Sequence, residues 1–155
     1  MRRILGGLLI VALSLAAVIA VVLVLQSRDD AEVGSASGPG EKVAARCPDQ
    51  PAGVTHDARA LSEDQIRQAS SLGNVVLRYP NARPPGALRE LQDELTGPFD
   101  AEIAAAGPAV ILARGGDGVE ALAWGHRLRA QSPDDPQLRV FAEAWLGEGA
   151  PKPCS

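Results

Sequence analysis

The sequence predicts an α+β domain carried behind one N-terminal transmembrane helix, with the element order α-β-α-β-β-α. Three observations predict it. An uncharged apolar run occupies Ile4–Leu25. Two short runs, Asn74–Tyr79 and Ala109–Ala113, have strand composition, and helical signals lie before, between and after them.

Ile4–Leu25 holds no charge and no proline, and its 22 residues make a helix of roughly 33 Å, enough to cross the hydrocarbon core of a bilayer. Such a helix satisfies its own backbone hydrogen bonds in lipid. Arg2 and Arg3 precede the run, whereas Asp29, Asp30 and Glu32 accompany Arg28 after it. Positive charge is kept on the cytoplasmic side, so the N-terminus is expected inside and the domain outside. A cleaved signal is the rival reading, but its apolar core is about 7–15 residues long and ends at a small-x-small site. The nearest such triplet after the run is Ser35-Ala36-Ser37, and the first cysteine, Cys47, is too distant for a lipoprotein signal. Ala12, Ala16 and Ala20 form a small-residue stripe. Such stripes let helices approach, which would give a weak homodimer, although an alanine-rich segment makes the same spacing by chance.

The division expected is a cytoplasmic tip at 1–3, the anchor at 4–25, a flexible linker at 26–53 and the extracytoplasmic domain at 54–155. Ser35-Ala-Ser-Gly-Pro-Gly40 carries the linker reading, being small, polar and glycine-rich. The formal charge is −4; without Arg2 and Arg3 it is −6, which excludes nucleic acid and anionic membrane surfaces as partners. Arginine far outnumbers lysine and alanine is abundant, a composition typical of GC-rich bacteria.

Cys47 and Cys154 are the two cysteines, 107 positions apart. Outside the cytoplasm an even count reads as a disulfide. Closing a loop of that size contributes roughly 4–5 kcal/mol on the chain-entropy argument. Without a Cys-x-x-Cys spacing, a metal or redox pair has no support.

The first helix begins at the N-cap Ser62, with Gln65 completing a Ser-x-x-Gln capping box and Leu61 and Ile66 placed as a hydrophobic staple. Glu63 and Asp64 suit the positive end of its dipole, and Gly73 follows its end near Ser71. Asn74–Tyr79 is a strand closed by Pro80. Leu88, Leu91 and Leu95 give an amphipathic helix over Ala87–Thr96, ended by Gly97-Pro98. Ala109–Ala113 is apolar throughout, as in a strand buried on both faces. Gly115-Gly-Asp-Gly118 is read as a hairpin turn, with Val119–Trp124 returning antiparallel to that strand. Asp135 caps the last helix and Pro136 opens it; Leu138, Phe141, Ala142 and Trp145 make its apolar face, and Gly147 or Gly149 its stop. A β-α-β unit, a hairpin and a helix resemble half of a thioredoxin-like or ferredoxin-like arrangement, a statement of topology alone.

Chemical signatures are sparse. His56 lies in a polar loop, and His126 follows Trp124-Gly125 and reads as a solvated loop residue. Neither has a partner at metal-ligand spacing. No Gly-x-Ser-x-Gly elbow is present, and no cysteine stands beside a base. Gly115–Gly118 lacks the Lys-Ser/Thr of a phosphate loop, and Asp117 lacks the local oxygen ligands calcium requires. His56, His126 and Asp117 are the residues from which a metal site would have to be assembled. Asp134-Asp135 is explained by capping, and Glu90, Asp93 and Glu94 by a solvated helix face.

Ala123-Trp124-Gly125, then Asp134-Asp135-Pro136-Gln-Leu138, Phe141 and a proline-rich end at Cys154 resemble the tail of a bacterial membrane-anchored family of unknown function, domain of unknown function thirty-one-oh-five. The resemblance spans Leu61–Cys154 and implies the same plan of anchor, linker and compact outward domain. That family carries a His-x-Leu-Glu-His-Gly motif before a Val-Val-x-x-Tyr strand. Here Val75-Val76-Leu77-Arg78-Tyr79 and Gly73 match, but Gln68 and Leu72 replace the histidines and Ser71 the glutamate. The chemistry of that motif therefore does not carry over.

The function expected is that of a non-enzymatic interaction protein of the bacterial envelope. It would hold the bilayer through its anchor, bind an envelope protein or wall component, and need no cofactor. The alternative is a degenerate metal-binding or redox-related envelope domain.

Overall fold

Backbone signals near Ser62 are satisfied in the folded chain: Gln65 N donates to Ser62 Oγ (3.2 Å) and Ser62 N to Gln65 Oε1 (2.9 Å). The computed structural model describes residues 38–152 and Cys154. Ile4–Leu25, with Ala12, Ala16 and Ala20, lies outside them. Among the described residues, no helix is long and apolar enough to cross a membrane.

The domain is mixed α+β, a six-stranded sheet with four helices. In chain order the elements are β1 (Glu41–Lys42), β2 (Arg59–Ala60), α1 (Glu63–Ser71), β3 (Val75–Tyr79), α2 (Gly86–Thr96), α3 (Ala101–Ala106), β4 (Val110–Arg114), β5 (Val119–Ala123), β6 (His126–Ala130) and α4 (Pro136–Trp145). The sheet order is β1-β6-β5-β3-β4-β2. β3 and β4 are parallel in the register Val75↔Val110, as a β-α-β unit requires.

The hairpin expected between Ala109–Ala113 and Val119–Trp124 does not form. β5 pairs antiparallel with β3 (Leu77↔Ala121) and β4 lies on the other side of β3. Gly115–Gly118 crosses the end of β3, where Gly115 N donates to Tyr79 O (2.9 Å). The hairpin partner of β5 is β6, joined by Trp124 and Gly125, with Gly125 at φ +72°. β3, which is buried on both faces at Val75, Val76 and Leu77, thereby gains a neighbour on each edge.

The two faces of the sheet have separate cores. On the first, Leu77 and Tyr79 of β3, Leu112 of β4 and Ala121 of β5 meet Leu88 and Leu91 of α2 and Leu138 and Phe141 of α4. On the second, Val76 and Ile111 meet Ile66 and Ala69 of α1 and Ala104 of α3. Asn74, 1% exposed, locks the second face: its Nδ2 donates to Ala69 O (3.0 Å) and Ala104 O (2.8 Å), and its Oδ1 accepts from Ala109 N (2.9 Å). Gly107 closes α3 at φ +112°, where a Cβ would lie 1.9 Å from Leu72 O.

Residues 38–53, read from the sequence as the end of a free linker, belong to the domain. Glu41 pairs with Arg127 in the edge ladder, and Trp145 Nε1 donates to Pro39 O (2.9 Å). Gly38 and Gly40 have φ +66° and +95°, and a Cβ on them would strike the Trp145 and Phe141 rings at 2.5 and 2.7 Å. These glycines permit close packing rather than slack. The segment then runs on as a strap to Cys47, which is disulfide-bonded to Cys154 with a Cα–Cα distance of 5.5 Å.

Candidate functional site

Cover on the second face thins beyond β3, where α1 still packs against Leu122 of β5. Side chains alternate along a strand, so β5 and β6 present Glu120, Leu122, Arg127 and Arg129 to that face, in the register Leu122↔Arg127 and Glu120↔Arg129. Leu122 packs against the Ile66 cluster of α1, whereas Glu120, Arg127 and Arg129 lie outside that cluster, and Arg129 is exposed. The result is a groove bounded by the strap at Val43–Arg46, by α1 and by the β5–β6 hairpin. Val43 N, bonded to Gly125 O (2.9 Å), holds the strap in place. One compartment, of about 220 Å³, is lined by Arg46, Glu63, Ile66, Arg67 and Leu122. An adjoining one, of about 500 Å³, includes Asp117 and Arg129. Arg78, Glu120 and Arg127 line both.

The charges are arranged in pairs. Arg78 is the one charged residue in an otherwise apolar strand. Its Nη1 stands 3.1 Å from Glu120 Oε1 and 3.6 Å from Glu63 Oε1. The side chains of Arg78 and Glu120 are 22% and 16% exposed, enough enclosure that each requires its partner. Arg127 Nε donates to Glu41 Oε1 (2.7 Å), and Arg67 Nη1 reaches Asp49 (3.3 Å) and Asp64 (3.4 Å). Arg46 and Arg129 have no carboxylate partner among the described residues.

The residues singled out in the sequence are not brought together. His56 is exposed in the loop before β2, and Asp117 is exposed in the β4–β5 crossing. His126 is not a solvated loop residue. It opens β6 on the first face, stacked on Trp145 with ring centroids 3.6 Å apart, and its Nδ1 is buried without a partner. Burial, and then the charge of Lys42, push its pKa below the usual histidine value. On the same face the buried Tyr79 hydroxyl is held above its ordinary value by burial, then by Asp57. Among the described residues, no three His, Cys, Asp or Glu side chains converge as metal ligands would. Cys47 and Cys154 do meet, as the bridge. Ile4 and Leu25, taken as the ends of the anchor, lie outside the described residues.

Sequence reasoning missed the groove. One signal was available: an arginine inside Val-Val-Leu-Arg-Tyr, in a strand destined for the centre of a sheet, demands a carboxylate from another element. No family model, curated protein or solved structure matches the chain.

Proposed function

We propose that this chain is a single-pass, membrane-anchored protein of the bacterial cell envelope whose outward domain is a binding module, not an enzyme. The groove on the open half of the sheet carries the reading. It offers one enclosed guanidinium–carboxylate pair, Arg78 with Glu120, ringed by more exposed pairs and by the half-buried Leu122, a polar-rimmed surface of the kind used in recognition. Membrane attachment is supported by Ile4–Leu25 with Arg2 and Arg3 before it. An outward location is supported by the paired Cys47 and Cys154, because such bridges persist on the oxidising side.

The finer fold assignment is thioredoxin-like rather than ferredoxin-like. Its support is that β3 and β4 are direct parallel neighbours, whereas a split β-α-β unit places another strand between them. No redox activity travels with that topology. Membership in the family of unknown function named above is part of the same proposal. It is supported by Gly73 at the α1–β3 connection and Ala123-Trp124-Gly125 at the β5–β6 turn.

Site-specific photo-crosslinking in intact cells tests the function. A photoreactive residue at Leu122, in the groove, is expected to capture an envelope partner. The same residue at Val140, which is 54% exposed on the opposite side, is not. If Leu122 captures nothing beyond an anchor-only control, the binding-module reading fails.

A further inference from the structure

The strap, residues 38–46, is held to the domain at one small place. Glu41 and Lys42 pair with Arg127 and His126, and Val43 N donates to Gly125 O (2.9 Å). Ahead of them Trp145 Nε1 donates to Pro39 O (2.9 Å), and Gly40 lies so close to the Phe141 ring that a Cβ would stand 2.7 Å from it. Gly125, His126 and Arg127 are consecutive, and Trp145 is stacked on His126 with ring centroids 3.6 Å apart. The hold is therefore centred on one imidazole. No residue of 38–46 belongs to either core, so the strap can leave with both cores still packed, and the bridge at Cys47 limits how far it goes.

That imidazole has no counter-charge. Its Nδ1 is buried without a hydrogen-bond partner. A neutral ring with its proton on Nε2 tolerates this, whereas protonation sets an N–H and a positive charge at the buried nitrogen with no acceptor to meet them. The neighbouring elements supply no carboxylate: β1 presents Lys42 in direct register, β5 presents Ala123 and α4 presents Trp145. Glu41, one residue from Lys42, is turned to the other face of the sheet, where it accepts from Arg127 Nε. The indole face attracts a cation and so works the other way. Burial first and Lys42 second outweigh it, and the pKa of His126 lies below histidine's ordinary value. The proton therefore favours a state in which Lys42 is gone and the edge of β6 is open to water. Departure of the strap produces that state.

We propose that 38–46 is a proton-released strap: uptake of a proton by His126 detaches the segment from β6 and from Trp145 as far as Cys47, and so removes one wall of the groove while both cores stay folded. Val43–Arg46 form that wall. The release holds whatever the groove binds, so it stands apart from the binding-module reading.

The test uses the full chain in a neutral detergent and follows amide hydrogen exchange by mass spectrometry, each rate divided by the intrinsic rate of an unstructured chain at the same pH. Protection of peptides covering 38–46 should fall about tenfold between about pH 7.5 and about pH 5.5, while β3 and β4 stay protected. His126→Phe keeps a ring against Trp145, and His126→Gln keeps a neutral polar side chain. In both, protection of the strap should no longer change with pH. Lys42→Met removes the opposing charge and should make the fall smaller. Thermal midpoints at the higher pH verify that each variant is folded. Strap protection that is unchanged in acid overturns the proposal. So does protection that rises, as a dominant attraction of the imidazolium to the indole face would make it. A folded His126 variant that keeps the full fall overturns it too, because the titrating group is then another one. Loss of protection in β3 and β4 in step with the strap does the same, since the whole domain is then unfolding.

Discussion

On one face of the sheet, α2 and α4 bury β3, β4 and β5 behind Leu88, Leu91, Leu138 and Phe141. On the other, α1 and α3 cover β3 and β4, α1 reaches β5 at Leu122, and the same strand emerges in part as Glu120 and Leu122. β5 thus has a sealed side and a half-buried side within one residue step. The difference teaches where stability and recognition reside. Apolar burial is complete where helices are available, and charged pairs begin where they run out.

The sharpest way to break this comparison is to place one carboxylate on each side of β5. Ala121→Glu puts a charge where the backbone is fully buried, with no partner. The folded state should lose more than about 4 kcal/mol, read as loss of the cooperative urea transition. Leu122→Glu, one residue on, should cost about 1 kcal/mol, since its side chain borders the groove. Equal losses would mean that the open side is as sealed as the other.

Removing the bridge comes next. Cys47→Ser with Cys154→Ser should lower stability by about 2–4 kcal/mol and free the strap that walls the groove. A urea midpoint with an unchanged slope would report stability alone; an altered slope would report a looser domain as well.

A smaller effect is expected of Glu120→Gln, which removes the nearer carboxylate of Arg78 but leaves Glu63 at 3.6 Å. The loss should be about 1 kcal/mol or less, shrinking in high salt, as befits a pair that solvent still reaches.

The smallest effect is a pH dependence. His126 has its pKa lowered by burial and then by Lys42. The unfolded chain therefore binds this proton more readily than the folded one. The contribution is intact above the ordinary histidine pKa and declines as pH falls through it toward the folded value. His126→Phe keeps a ring against Trp145 and should flatten the thermal midpoint between pH 7 and 5. An unchanged slope would place the titration elsewhere.

The elements legible in the sequence are those whose signals are local. Ser62 and Gln65 cap α1 within four residues, and Asp135-Pro136 opens α4 in the same way. The pairing of β5 was not legible, because Gly115–Gly118 looks the same whether it turns back on β4 or crosses the end of β3. β6 alternates His126, Leu128 and Ala130 with Arg127 and Arg129, so its apolar side is too thin to announce a strand. Gly38-Pro-Gly40 was misread for a physical reason: glycine serves flexibility and close approach equally well, and only Trp145 and Phe141, about a hundred residues away, distinguish the two. The groove was illegible because Arg78 and Glu120 meet only after β5 has chosen β3.

The bridge between Cys47 and Cys154 also governs how the domain bears a load. It closes a loop of 107 positions. If the chain is pulled at its two ends, tension passes through the sulfurs and bypasses everything between them. What can yield is the short stretch ahead of Cys47: first the hook of Trp145 on Pro39, then the two ladder pairs of β1 with β6. A stretched molecule would therefore shed its edge strand and stop. Both cores would stay intact while the bridge holds, and reduction would remove that limit.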